Sequence, residues 1–311
     1  MILPQWLQEK VNGLYLSLNK QTLIETREKL TNKYKQETGQ NKALVENKTD
    51  SSLYAISRMP ATYSVIYSLV ETLAKQGLIE NVETVLDVGS GTGAGYFALK
   101  ELDEDLDIKL VERDRNMIEI FKTLTENKVD VEKADASSFV FEDKADLVVT
   151  SYVLSEMTEQ VRNQTFDNLA KSSNKYVLVI DTGTPNTYQE MMKLKDYATK
   201  KGLRVVAPCM ATKCPLKDDY CQFYARVERS SLHKLAKGGT LPYEDEKYFY
   251  LLFAKDEVNV EGERVIRRPV IKENNVSLVL CTKEGVKNKT CTKKDKDEFK
   301  RAKKIKINEL F

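Results

Sequence analysis

ETVLDVGSGTGAGYFALKEL, residues 83–102, decides the fold. It opens as a short apolar strand, TVLDV, passes through Gly89, Gly91, Gly93 and Gly95, and continues as a helical pattern. Glycines at such a junction permit a sharp turn and let a ligand approach the backbone. The helix that follows presents unpaired N–H groups at its start. Downstream, short apolar runs alternate with helical stretches: DIKLVE (107–112), VDVEKA (129–134), ADLVVT (145–150), KYVLVI (175–180), LRVVAP (203–208) and KYFYLLFAK (247–255). This alternation predicts an α/β, Rossmann-like fold with a seven-stranded, mostly parallel sheet covered on both faces.

The flanks read differently. Residues 1–80 predict a helical N-terminal extension, with Asp50, Ser51 or Ser52 capping LYAISRM and Pro60 breaking or kinking that helix. QETGQNKALVENKTD (36–50) reads as a loop. Residues 81–257 form the sheet domain, with a Cys-rich insertion at about 207–245; residues 258–311 read as a small β unit with a basic tail. The 311 residues are 41% hydrophobic and 31% charged, enough for a sizeable core. No apolar run of about 18 residues suggests a membrane partner. The start lacks the pattern of a signal or transit peptide, so the expected compartment is cytoplasmic, where thiols stay reduced. The net charge of +2 is uneven: Gly285 to Phe311 carry ten Lys/Arg and four Asp/Glu. That tail suits a polyanionic partner, or is a solvated terminal helix.

Two ligand classes use a glycine turn of this kind. A dinucleotide places its pyrophosphate on the helix start, and Gly89-x-Gly91-x-x-Ala94 with Glu112 downstream fits that fingerprint. S-adenosylmethionine packs its amino-acid end along the loop. Asp87, two residues before the first glycine, is placed to hold the donor's ammonium, and Asp135 in KADASSF to accept from its adenine amino group. These acids in register also weigh against a purely structural turn. The candidate donor-binding set is Asp87, Gly89, Ser90, Gly91, Gly93, Glu112, Asp135, Ala136 and Ser151. DVGSGTG, the acid in LVERD, and ADASS resemble the first three motifs of the class I methyltransferases. In SYVLSEM (151–157), Tyr152, Ser155 and Glu156 join Ser151 as candidates to line the pocket. None is a clear catalyst, and the single histidine, His233, reads as structural.

Cys209, Cys214 and Cys221 fall at C-x4-C-x6-C. Thiolates suit zinc and iron–sulfur clusters alike. The second interval is loose for structural zinc, and clusters tolerate irregular spacing with a remote fourth cysteine. Cys209 as a covalent nucleophile follows too late a strand, and three unlinked cysteines this close together are the least favoured reading. SLYAISRMPATYSV, DVGSGTGAG, SYVLSEM, APC…CPL…YCQF, RVERS and LPYEDEKYFYL occur in one order. That order resembles the methyltransferase-like family of small-ribosomal-subunit assembly factors, found in mitochondria and bacteria. The resemblance implies a [4Fe–4S] cluster on Cys209, Cys214, Cys221 and Cys281, with zinc as the alternative, and leaves Cys291 free. It implies S-adenosylmethionine as cofactor and small-subunit ribosomal RNA or its precursor particle as partner, with a monomer when free. Arg226, Arg229, Arg267, Arg268 and the tail lysines would meet phosphates. Methyl transfer to that RNA and a non-catalytic docking role both remain open.

Overall fold

The structure, a computed structural model, describes residues 2–17, 20–37, 45–216 and 218–311. Eight strands make the main sheet: β1 (Thr84–Val88), β2 (Asp107–Glu112), β3 (Glu132–Lys133), β4 (Ala145–Ser151), β5 (Ser173–Thr182), β6 (Arg204–Ala207), β7 (Phe223–Glu228) and β8 (Tyr243–Ala254). Their order is β3-β2-β1-β4-β5-β8-β6, with β7 also on β8. Strands β1 to β5 pair in parallel, whereas β8 runs antiparallel to β5, β6 and β7. The chain starts in the middle of the sheet, builds outward to β3, then crosses back to β4. That reversal, beside the carboxyl end of β1, is where ligands bind in open α/β sheets.

The sheet holds one strand more than expected. FYARVE buries Phe223, Ala225 and Val227 and turns Tyr224, Arg226 and Glu228 outward, a two-residue period that makes β7. Registers show what β6 and β7 are. Ala207 lies opposite Leu252, and Phe223 opposite Tyr248, on the same edge of β8. They are two halves of one edge strand, and residues 208–222, with three cysteines, leave the sheet between them.

Helices α1 (Gln5–Gly13), α3 (Lys48–Lys75), α4 (Ala94–Leu102) and α5 (Arg115–Leu124) pack together, as do α6 (Glu159–Lys171) and α7 (Pro185–Lys200). α2 (Lys20–Glu37) and α8 (Ser231–Lys237) lie against α3. The expected break at Pro60 is corrected: α3 is continuous through it. A proline removes one i→i−4 bond, and Met59, Pro60 and Ala61 are all buried, so packing holds the turn. The cap is also corrected, because Asn47 accepts from Asp50 N at 3.0 Å while Asp50 pairs with Lys29 at 3.0 Å. The central part of the expected 36–50 loop, residues 38–44, lies outside the described residues.

A second sheet, β9 (Arg264–Val265), β10 (Val270–Ile271), β11 (Asn275–Cys281) and β12 (Val286–Thr292), carries α9 (Lys296–Lys304). Cys291, Phe299, Ala302 and Phe311 share its core. The basic tail is therefore a folded part of this unit, with its cations on the outside. No described helix is long and apolar enough to cross a membrane.

Candidate functional site

Gly89, Gly91 and Gly93 all take positive φ, at 77°, 55° and 87°. Only glycine does so without strain. Space demands it too: a Cβ on Gly89 would lie 2.4 Å from Val153 Cγ2, and one on Gly93 2.2 Å from Phe121 Cδ2. Gly89 N and Ser90 N donate to Val111 O at 2.8 and 3.1 Å, which pins the loop to β2. Gly91 N donates to Glu112 Oε2 at 2.8 Å, and Glu112 Oε1 accepts from Asp114 N at 2.8 Å.

A cleft of about 530 Å3, counting its open mouth, lies at the reversal point. Gly89, Glu112, Asp135 and Ala136 of the expected set line it; Asp87, Ser90, Gly91, Gly93 and Ser151 do not. Arg113, Val153 and Met157 also line it, as does Glu156 from SYVLSEM. Arg113 neighbours Glu112 in sequence, which was the one signal available for it.

Asp87 is fully buried, and neither carboxylate oxygen has a hydrogen-bond partner among the described residues. Gly95 packs so closely that a Cβ there would meet Asp87 Oδ2 at 2.4 Å. Burial, then the charge of Glu112, pushes the Asp87 carboxyl up to about 7. Asp135 differs. Its Oδ1 accepts from Ser137 N at 2.9 Å and Ser137 Oγ at 2.6 Å, and Arg113 lies 3.3 Å from Oδ2. The Ser137 hydroxyl leads in holding it below the usual range. Glu156 is pushed up to about 8 by burial, then by Asp181. Asp181 accepts from Ser155 N and Oγ at 2.9 and 2.7 Å and so fixes the turn that carries Glu156. Tyr152 has φ 58° and stacks under Arg58, which pairs with Glu246 at 2.8 Å. His233 is buried against Ser57 O at 3.1 Å, and burial drops it to about 4, which fits a structural role.

The four expected cysteines converge. Cys209, Cys214, Cys221 and Cys281 line one narrow cavity with Tyr188 and Phe249. Three come from the excursion off β8 and one from the end of β11. Cys291 is apart, in the core of the second sheet. Tyr188 Oη and Cys214 Sγ are 2.9 Å apart. Burial pushes the Cys209 thiol up to about 12 and raises those of Cys221 and Cys281. Among the described residues, no group of three or more His, Cys, Asp or Glu is gathered as a metal-ion site. The thiols border a shared cavity, whereas a lone zinc needs each sulfur about 2.3 Å from one point.

The arginines expected on phosphates are partly committed elsewhere. Arg229 is half-buried against Glu244, and Arg267 pairs with Asp219 at 2.5 Å. Arg226 pairs with Asp245 at 2.8 Å, and Arg268 donates to Tyr224 Oη at 2.7 Å, yet both stay exposed.

The family model described as mitochondrial small ribosomal subunit Rsm22 matches residues 48–311. The chain belongs to the Rsm22 family. The matched span includes the glycine loop, all four converging cysteines and the second sheet; α1 and α2 precede it. Among curated proteins, none matches this Rsm22 family member. Similar solved structures include magnesium protoporphyrin IX methyltransferase from Synechocystis PCC 6803 with bound SAM. It is 12% identical over 77% of this chain and 99% of that one, with a TM-score of 0.42. A SAM-dependent methyltransferase from Aquifex aeolicus is 16% identical over 62% of this chain and 98% of that one, with a TM-score of 0.37.

Proposed function

We propose that this protein binds S-adenosylmethionine at the β1–β4 reversal and acts on RNA of the small ribosomal subunit or its precursor. The observation that carries the donor reading is Asp87. A fully buried carboxylate without a partner is costly, and a ligand ammonium at the glycine loop would supply one. Glu112 would hold ribose hydroxyls, and Asp135 with Ala136 the adenine. The family match supports the RNA partner.

Because Asp87 sits near 7, donor binding should be proton-linked. An ammonium needs the carboxylate, so affinity should rise as pH goes from 6 to about 7.5 and level off or fall above that as the donor's α-ammonium titrates. Asp87→Asn should weaken binding by about 2 kcal/mol and flatten that dependence. Calorimetric titration at several pH values checks both. A flat wild-type profile removes Asp87 from the site, and tight NAD binding without affinity for the methyl donor hands the loop to a dinucleotide.

A second reading, a docking factor without turnover, is favoured by the hydrogen bonds that already commit two of the cleft carboxylates. Glu156 is held mostly neutral near pH 7, and Glu112 and Asp135 are engaged by backbone amides and Ser137. A mostly protonated Glu156 can donate a hydrogen bond into the cleft, and its ionised fraction near pH 7 would be a stronger base than an ordinary carboxylate. Methyl transfer would rely on that base or on orienting donor and acceptor alone. Rescue of subunit assembly by a variant that no longer binds the donor would favour docking.

Cys209, Cys214, Cys221 and Cys281 would hold a [4Fe–4S] cluster, with zinc as the alternative. The fit is chemical: four thiols face one cavity, and its described lining holds no His, Asp or Glu. When bound, such a group supplies an anionic crosslink between the two sheets.

The outward cations of the tail would face RNA. Lys300, Lys303 and Lys304 are all exposed on or beside α9. Reversing all three to Glu, instead of truncating, keeps Phe299 and Phe311 in their core. Each lost contact on single-stranded RNA removes about 0.7 from the slope of log affinity against log salt. The triple variant should bind small-subunit RNA more weakly with a slope shallower by about two, measured by filter binding. Unchanged affinity and slope would leave α9 as a solvated helix.

A further inference from the structure

Two buried cations have no carboxylate bonded to them. Lys195, on α7, is 2% exposed, and its ammonium has no hydrogen-bond partner among the described residues. Arg264, on β9, is fully buried. It donates from Nε to Pro208 O at 3.1 Å and from Nη1 to Asn308 O at 2.9 Å and Gln76 Oε1 at 3.3 Å, while Nη2 has no partner among the described residues. Buried charges in proteins are normally paired, because an uncompensated one is strongly destabilising.

What lies beside both is the thiol cavity. Arg264 is directly opposite Cys281 in the β9–β11 pairing, and the carbonyl it holds belongs to the residue before Cys209. Lys195 is buried on the same face of α7 as Tyr188, two turns further along, and Tyr188 lines the cavity with its hydroxyl 2.9 Å from Cys214. With neutral thiols the cavity carries surplus positive charge. With four thiolates around a doubly positive metal core, the bound group is a dianion, equal and opposite to the two cations.

We infer that Lys195 and Arg264 are the built-in countercharge of the group held by Cys209, Cys214, Cys221 and Cys281, and that Lys195 sets how readily that group accepts an electron. The inference rests on the cluster reading given above. Uptake of one electron turns the dianion into a trianion, and a neighbouring cation favours the more negative state. The Tyr188 hydroxyl, donating to Cys214, acts in the same direction. Lys195 is thus a positioning residue for charge. It differs from Arg264, which also anchors backbone at Pro208 and Asn308 and whose loss would disturb packing.

The test uses the full chain, purified without oxygen, beside Lys195→Met and Lys195→Arg. Iron, sulfide and zinc are counted, and the potential is read by titration with dithionite and mediator dyes, followed by absorbance and electron paramagnetic resonance. In Lys195→Met, the reduced-to-oxidised ratio at a fixed potential should fall about tenfold or more, which is about 59 mV for a one-electron couple. Lys195→Arg should restore it, and affinity for S-adenosylmethionine should be unchanged in both. Failure of Lys195→Met alone to load metal, with normal loading of Lys195→Arg, also supports the countercharge. Normal loading of Lys195→Met with the wild-type potential overturns the inference and leaves the cluster reading intact. If the wild type holds zinc without iron, about tenfold weaker zinc binding in Lys195→Met supports the countercharge and equal binding overturns it. Wild-type protein with neither metal overturns the cluster reading, and this inference with it.

Discussion

If the four converging cysteines hold a metal-bound group as proposed, Cys221→Ser protein is expected to lose it and to melt about 6–20 °C below the wild type. Cys221 is buried in the cavity that joins the excursion off β8 to the end of β11. Removing one thiolate leaves Lys195 and Arg264 without full compensation, and breaking a buried charge arrangement costs about 3–5 kcal/mol. For a chain of this size each kcal/mol is worth about 2–4 °C. The second sheet should loosen first, because Cys281 is its covalent route to the cavity; limited proteolysis should cut near residues 255–263. Cys291→Ser is the control, since that thiol sits in a separate core. Equal melting of Cys221→Ser and wild-type protein, with equal metal content, would remove the crosslink. Chelation of wild-type protein should reproduce the Cys221→Ser behaviour.

Gly89→Ala should reduce S-adenosylmethionine affinity at least about 100-fold, or roughly 2.7 kcal/mol. Gly89 lines the cleft, and its φ of 77° costs a residue with a side chain about 1–2 kcal/mol. The new methyl would also meet Val153 Cγ2 at 2.4 Å. Relief requires the loop to lift from Val111 O or the Val153 turn to retreat, and either change reshapes the cleft. Gly89→Ala/Val153→Ala removes the collision and keeps the strain, so it should recover about tenfold of the loss. Titration calorimetry on folded variants decides. Wild-type affinity in Gly89→Ala would mean that the donor does not touch this loop. Gly91 is the weaker position for such a test: a Cβ there meets nothing within 4 Å.

The parallel half of the sheet was legible because β1, β4 and β5 carry near-continuous apolar runs, as strands buried on both faces must, while β2 alternates at its start, with Asp107 and Lys109 exposed, before it too is buried. Strand β3 shrank to Glu132–Lys133, since VDVEKA lies at the sheet edge and has only β2 to pair with. Strand β7 escaped notice because its alternation is short and follows directly on the cysteines. Asp87, Glu112 and the glycines were readable from spacing. Glu156 was readable as a pocket candidate in SYVLSEM; that Val153 and Met157 reach the cleft was not, because the turn carrying them is set by Asp181, which lies far along the chain on β5. The cysteine set was legible only through the family pattern: spacing alone does not show that Cys281 returns to Cys209. Lys195 gave no signal at all. It sits in an ordinary amphipathic helix, and its neighbours come from other elements.

The antiparallel seat of β8 also shapes how the chain must be made. Strand β5 finds its partner on that side only in Tyr248–Ala254, about 70 residues later. At about 5–20 residues per second, a nascent chain exposes an unpaired, apolar β5 edge for roughly 4–14 s. A bare edge of this kind invites pairing with another chain. The late strand that completes the sheet is also the one on which the two halves of the cysteine-bearing edge converge. Nascent chains stalled before residue 243 should therefore be the aggregating species, and chaperone demand should end once Ala254 has emerged.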